Sequence, residues 1–410
     1  MKRPLILLIG GIILIALVML YFHKYGPKPR PPHIVLISID ALRGDYFSPE
    51  YMPKTYAWAK ENCALFPNTY SNSTWTSPSH VTMLSGLLQS QHKVEFLDNR
   101  VPPDFPLVQE TLKKRGYITL AFVGGGYISR TLGFDRGFDQ FVEHWMFFDP
   151  TKSKRNFREL RDDCWQPVLD TEKVLSADIG PHPLFMFVHT YLVHEYFLYN
   201  FDGETYPAVS RNEVNNKFVF SESPETKQKC YGLAVKDMDT RLYAFLQALL
   251  NSRLSSNLAI IITSDHGEGL GDQHGEYLSF AHAHAPYSDQ IHIPLAVYGM
   301  PKGTYENLVC TRDIPGIIRG LAGLENGNLF PKNEFVISEN IQFDRTLPPE
   351  RRALAITFPD RKVLLNEKGK LSLYVDETDT VDALSSSIGA SQVEITGKLK
   401  DDLRALGYLD

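Results

Sequence analysis

Residues Ile34 to Ile39 are apolar apart from Ser38, and the run ends on Asp40. A strand apolar at nearly every position, rather than every second one, is covered on both faces. That is the signature of a central parallel strand lying between two layers of helices. Leu184–Val188 and Leu258–Ile262 repeat the pattern. Between them, Glu225 to Asn251 places Val235, Met238, Leu242, Phe245 and Leu249 on one helical face. Pro106 to Phe122 reads as a helix, a break at Gly116-Tyr117 and another strand. The following Gly124-Gly125-Gly126 is a loop without the GxGxxG frame of a nucleotide site. This alternation specifies an α/β protein with a doubly wound, mostly parallel sheet. Ligands bind such sheets at the carboxyl ends of the strands, where Asp40 stands.

The rest of the chain departs from that rhythm. Residues 145 to 180 are polar, aromatic and irregular, and read as a variable loop region. Ala353–Thr357 and Lys370–Val375 suggest a small C-terminal antiparallel subdomain, followed by a helix ending near Gly407. Ahead of the first strand, Lys2 and Arg3 precede an uncharged run from Leu5 to Phe22, then a proline-rich segment to Pro32. The run is long enough to span a bilayer and long for a cleaved signal peptide, the rival reading. The prolines make a stiff spacer. The expected division is a single-pass membrane anchor and linker over 1–32, a catalytic domain over 33–340 and the subdomain over 341–410. The folded part is expected outside the cytoplasm.

At 410 residues the chain is long enough for a sizeable core. A net charge of −6 without a compensating basic stretch argues against a nucleic-acid partner. Cys63, Cys164, Cys230 and Cys310 stand far apart with no CxxC pair, which excludes a zinc ribbon. Cys164 and Cys230 are either a disulfide of an exported domain or buried thiols.

The segment Asn72-Ser73-Thr74-Trp75-Thr76-Ser77-Pro78-Ser79-His80 reads as a loop feeding a helix. Pro78 suits a first turn, and Val81, Met83, Leu84 and Leu87 follow with helical spacing. A helix start offers unpaired N–H groups to an anion, and the Thr76 hydroxyl could face it. An ordinary capped helix would have the same sequence.

Three segments taken together decide between these readings. Thr76-Ser77-Pro78-Ser79-His80 resembles the nucleophile motif of the sulfatase branch of the alkaline phosphatase superfamily, usually Cys or Ser, any residue, Pro, Ser, Arg. Ile34–Asp45 and Ile261–Glu268 resemble the family's two metal-binding strand ends, and Leu403–Leu409 a common family ending. The resemblance implies that Asp40, Thr76, Asp265 and His266 hold one divalent metal ion per chain: zinc, manganese, magnesium or calcium. It implies nucleophilic attack by Thr76, with His80 orienting it or touching the anion, and with His194 and His282 assisting. Histidine suits such proton transfer near neutral pH. His274 matches the family's first histidine of that region, His282 its second, and His284 has no counterpart. A second metal would need a carboxylate at Leu192, with Glu195 the substitute. Arg43 and His292 fit structural roles.

The departures from the pattern are informative. Threonine carries a methyl on its β-carbon and cannot yield the aldehyde that sulfatases make from Cys or Ser. It resembles instead the unmodified nucleophile of phosphodiesterases and of phosphoethanolamine and glycerophosphate transferases. Ala41 replaces the second Asp of the sulfatase pair, and His266 the usual Asn. The implied activity is hydrolysis of phosphate or, secondarily, sulfate esters. Its substrates would be small-molecule, lipid or glycan esters, and a membrane-anchored transferase is the alternative. The sequence leaves the substrate and the oligomeric state open.

Overall fold

The structure is a computed structural model describing residues 30–144, 157–176, 180–200, 211–274, 277–341, 353–366 and 371–374. The apolar run Leu5–Phe22 and the helix expected near Gly407 lie outside the described residues. Among the described residues no helix is long and apolar enough to cross a membrane. Pro32–Asp410 forms one compact unit.

In chain order the strands used below are β1 (His33–Ile39), β2 (Cys63–Leu65), β3 (Ile118–Val123), β4 (Gln140–Glu143), β5 (Leu184–Thr190), β6 (Leu258–Thr263), β7 (Gly269–His274), β8 (Tyr277–Ala281), β9 (Leu295–Tyr298), β10 (Gly303–Thr304), β11 (Val336–Asn340), β12 (Ala353–Thr357), β13 (Lys362–Asn366) and β14 (Leu371–Tyr374). The main sheet has the order β10-β2-β9-β6-β1-β5-β3-β4. Strands β6, β1, β5, β3 and β4 are mutually parallel, and β9 pairs antiparallel to β6. The apolar runs thus form the centre of a mostly parallel sheet, as their composition requires.

The helices used below are α1 (Pro53–Asn62), α2 (Thr76–Ser85), α3 (Val108–Lys114), α4 (Phe157–Ser176), α5 (Pro224–Asn251) and α6 (Ile314–Leu321). Alternate residues of each central strand enter two separate cores. Val35, Ile37, Met186, Val188, Ile260 and Ile262 face a layer containing Leu160, Val168, Val235, Met238 and Leu242. Ile34, Leu36, Phe185, Phe187 and Ile261 face Val81, Leu84, Leu112, Ile314 and Ile317. The five apolar residues expected on one face of α5 are all buried.

Three expectations need correction. The stretch expected to be irregular over 145–180 contains the 20-residue helix α4. Leu160, Cys164, Val168 and Thr171 are buried at helical spacing, and α4 packs on β5 and β3 despite Pro167 within it. Helix α2 stops at Ser85, because Gly86 takes a left-handed conformation (φ 81°), so Leu87 lies beyond it. The antiparallel sheet has four strands, β11-β12-β13-β14. Its first strand begins at Val336. All four cysteines are buried free thiols, so Cys164 and Cys230 are not bridged.

Candidate active site

Register brings the site together. Ser38 of β1 lies opposite His189 of β5 and Thr263 of β6. Asp40 and Asp265, both two residues further along, therefore emerge side by side at the carboxyl end of the sheet. The turn after Asp40 puts Ala41 at φ 62°, a backbone region that a side chain disfavours. Tyr231 of α5 holds this turn: its hydroxyl donates to the Ala41 carbonyl (2.6 Å) and accepts from the Arg43 N–H (2.9 Å). Across the turn, the Ala41 and His266 N–H groups both donate to Asp265 Oδ1, at 3.2 and 2.9 Å.

Thr76 is the first residue of α2, and no side chain caps that helix. Its hydroxyl donates to Asp40 Oδ2 (3.2 Å) and lies 3.4 Å from His266 Nε2. The neighbouring hydroxyls are committed elsewhere, Ser77 to the Tyr127 carbonyl and Ser79 to that of Asp265. His266 Nδ1 faces the Gly267 carbonyl at 2.8 Å. A carbonyl only accepts, so Nδ1 carries a proton and Nε2 is the atom turned toward the carboxylates. Nε2 lies 3.3 Å from Asp265 Oδ2 and 3.7 Å from Asp40 Oδ1.

These two carboxylate oxygens are buried and have no hydrogen-bond partner. Buried carboxylates left in this state are costly unless a cation meets them. Asp40, Asp265 and His266 offer ligand atoms within 4.8 Å of one another. Two carboxylate oxygens and an imidazole nitrogen suit a zinc, manganese or magnesium ion. The electrostatics agree. Burial raises the Asp265 carboxyl to about 6, reinforced by the negative charge of Asp40. Burial also opposes ionisation of Asp40, but the imidazoles of His194, His189 and His266 outweigh it and hold Asp40 well below the usual range. The residues present therefore fit a divalent ion.

His80 is fully buried beneath Thr76. Its Nδ1 donates to the Thr76 carbonyl (2.8 Å) and its Nε2 accepts from Ser38 (2.9 Å). Burial, aided by His189, lowers it to about 3, so it is a neutral strut that orients Thr76. His194 and His282 stand at the mouth with ring centroids 5.1 Å apart, and His282 lies 4.4 Å from His266. A glutamate backs each of them: Glu195 at 2.9 Å from His194 Nδ1 and Glu268 at 2.9 Å from His282 Nδ1. Glu195 is thus engaged with His194 rather than with the cluster, and Leu192 is a fully buried core residue. His274 lies elsewhere, stacked on Tyr287 and bonded to Asp289. Arg43 pairs with Asp45 and Asp272, and His292 Nε2 donates to the Pro67 carbonyl.

The sequence reading passed over His189 and Glu268. His189 Nε2 lies 3.1 Å from Asp40 Oδ2 and is fully buried. Its signal was a histidine directly after the apolar run Leu184–Val188, in register with Ser38 of β1 and so two positions short of Asp40. The turn carrying Glu268 is tight, and a Cβ on Gly267 would fall 2.0 Å from the Asp289 carbonyl oxygen. Gly267→Ala should cost about 1–3 kcal/mol through this overpacking and should weaken metal binding by displacing His266. Thermal melts with and without metal check it, and an unchanged Tm would show that the turn yields freely.

The chain was compared with known proteins. The sulfatase family model matches residues 32–306. The chain is 25% identical over 267 residues to the low-salt glycan biosynthesis sulfotransferase Agl7 of Haloferax volcanii, covering 64% of this chain and 56% of that protein. It is 25% identical over 280 residues to human N-acetylgalactosamine-6-sulfatase, covering 59% and 51%. The chain thus spans about half the length of the curated relatives it matches. The phosphonate monoester hydrolase of Agrobacterium radiobacter superposes with a TM-score of 0.69 at 16% identity, covering 92% of this chain and 95% of that one. A 2-O GAG sulfatase superposes with a TM-score of 0.66 at 17% identity, covering 92% and 91%. Both share the fold of a large, mostly parallel sheet. With most of the sheet and all four clustered residues inside the matched region, the chain belongs to the sulfatase family.

Proposed function

We propose that this protein is a metal-dependent ester hydrolase that acts at phosphorus through a covalent Thr76 intermediate. The observation carrying this reading is the Thr76 hydroxyl, which starts a helix beside two buried carboxylate oxygens without hydrogen-bond partners. Asp40 Oδ1, Asp265 Oδ2 and His266 Nε2 would hold the divalent ion, with Thr76 beside them. When bound, the ion lowers the hydroxyl pKa and offsets charge on the transferring group.

The chain's own groups supply the remaining steps. Asp40 Oδ2 takes the hydroxyl proton across 3.2 Å. Thr76 Oγ1 bonds to phosphorus as the bond to the leaving oxygen breaks. That oxygen receives its proton from the imidazole pair, with His282 nearest the cluster; burial and His266 hold His282 unprotonated in the free protein, and the anionic ester beside it favours the protonated form. Water then attacks phosphorus and gives a proton back to that imidazole, as the Thr76 oxygen leaves and regains its proton from Asp40. His80 fixes the start of α2 throughout, and His189 fixes the Asp40 carboxylate. The threonine side chain is the reason to prefer phosphorus over sulfur, because its β-carbon cannot become an aldehyde. The relatives named sulfatase support the ester-cleaving class, and the phosphonate monoester hydrolase fold supports chemistry at phosphorus on this scaffold. Acid-quenched enzyme with an aryl phosphate ester should carry a phosphoryl group on Thr76 by mass spectrometry, and its absence under turnover would refute the reading.

We also infer that Leu5–Phe22 anchors the chain in a membrane, with the enzyme outside the cytoplasm. The uncharged run and the proline spacer support this. Deleting residues 1–30 should release a soluble, folded and active domain. Membrane association surviving the deletion, or loss of the fold, would exclude that division.

A further inference from the structure

Three of the five described non-glycine residues with positive φ adjoin the active site. They are Ala41 (φ 62°), Ala281 (φ 60°) and Ala283 (φ 65°). The last two flank His282, so the imidazole is carried on a backbone arch bent into the left-handed region on both sides. Side chains disfavour that region, and such a conformation persists only where its surroundings enforce it.

Hydrogen bonds from two sides enforce it here. The Ala283 N–H donates to the carbonyl of Thr74, two residues before the nucleophile, at 3.0 Å. The Asn340 side-chain amide donates to the carbonyls of His284 (2.5 Å) and Ala283 (3.4 Å). Asn340 is the last residue of β11, the first strand of the C-terminal antiparallel sheet, and is 1% exposed. The same strand is fastened to the nucleophile loop. The Glu339 N–H donates to Asn72 (2.9 Å), Ser338 Oγ to the Ser71 carbonyl (2.6 Å), and Asn72 Nδ2 to the Ile337 carbonyl (2.6 Å). One strand therefore grips both the loop that presents Thr76 and the arch that presents His282.

We propose that Asn340 is a positioning residue that clamps the Ala281–Ala283 arch and sets His282 against the leaving oxygen. The C-terminal sheet, through β11, is then part of the catalytic apparatus. This rests on the reading of Thr76 as nucleophile and His282 as proton donor, and it adds the part that holds the donor in place. Glu268 fixes the ring from behind through Nδ1, while Asn340 fixes the backbone that carries it.

Asn340→Asp keeps the shape but turns a donor amide into an acceptor facing two carbonyls. A misplaced donor matters most when the leaving group is poor, whereas general loss of structure slows all esters alike. Turnover of phenyl and 4-nitrophenyl phosphate esters by the metal-loaded full chain separates the two cases. The expected result is a kcat loss about tenfold larger for the phenyl ester, with KM and bound metal unchanged. In a His282→Gln background the substitution should then have no further differential effect. Equal losses on both esters, or a differential loss that survives in His282→Gln, would overturn the proposal. Should Asn340→Asp fail to fold, Ala281→Gly loosens the arch from its other end and should give the same leaving-group dependence, more weakly; equal losses on both esters from it overturn the proposal as well. Phospho-Thr76 in the quenched parent enzyme keeps the two readings apart: adduct present without the differential effect sinks only the role of Asn340, and adduct absent sinks both.

Discussion

Asp265→Asn and Asp40→Asn should each remove bound divalent metal, together with the thermal stabilisation that metal gives the parent protein. Each replaces a charged ligand by a neutral amide, while the hydrogen bonds that shape the turn can persist. At Asp265 the Ala41 and His266 N–H groups donate to Oδ1, an acceptor that asparagine retains. The fold should survive, and the loss should fall on Oδ2, which has no hydrogen-bond partner among the described residues. Substitutions one shell further out typically cost 10- to 100-fold in metal affinity, so removing a ligand should cost about a hundredfold or more. A hundredfold excess of metal over its dissociation constant stabilises a protein by about 2.7 kcal/mol. The parent Tm should therefore rise with added metal and the variant Tm should not.

A pH signature accompanies this. Asp265 has its carboxyl raised from an ordinary 3.8 to about 6 by burial and by Asp40. A group with a raised folded pKa contributes stability fully present below its unfolded value and lost as pH rises through its folded one. Asp40 stays ionised across that range and adds no step of its own. Relative to metal-free Asp265→Asn, the metal-free parent protein should lose stability as pH rises from about 4 toward 6, the buried imidazoles of His80 and His92 contributing alike to both. Elemental analysis showing full occupancy in both variants would eliminate the site.

The central buried strands, and the carboxylates just beyond their ends, are legible in sequence for one physical reason. Strands buried on both faces must be apolar throughout, so a charged residue at the end of such a run is conspicuous. Asp40 and Asp265 were read in that way. His189 follows the apolar run of β5 while still inside the strand, and an imidazole there does not announce burial against a carboxylate. The clamp at Asn340 was illegible because hydrogen bonds between β11 and the loops at 71–74 and 283–284 have no sequence period. Helix α4 was missed for a different cause. Its buried stripe of Leu160, Cys164, Val168 and Thr171 is present, but Pro167 and the many charged residues around it suggest a broken segment. Burial against β5 and β3 outweighed the hydrogen bond that the proline lacks.

Thr76→Ala should lower turnover by a factor on the order of 10,000 or more while leaving Tm nearly unchanged. The hydroxyl is lost, but the start of α2 remains fastened by the His80 bond to the Thr76 carbonyl and by Ser79 to the Asp265 carbonyl. Thr76→Ser should retain part of the activity, because a primary alcohol at the same point can donate to Asp40 Oδ2 equally well. Thr76→Cys separates phosphorus from sulfur. If the native reaction were on sulfate esters, a cysteine matured by a formylglycine-generating enzyme should raise sulfatase activity. The expected outcome is loss of phosphoesterase activity with no such gain, because Ala41 and His266 have replaced the Asp and Asn of the sulfatase pattern beside the nucleophile. The hydroxyls of Ser77 and Ser79 are the nearest competitors in sequence, yet each donates to a backbone carbonyl, of Tyr127 and Asp265 respectively. A phosphoryl group should therefore be trapped on Thr76 and on neither serine. An adduct on Ser77 or Ser79, or strong sulfatase turnover by the unmodified parent protein, would place the chemistry elsewhere.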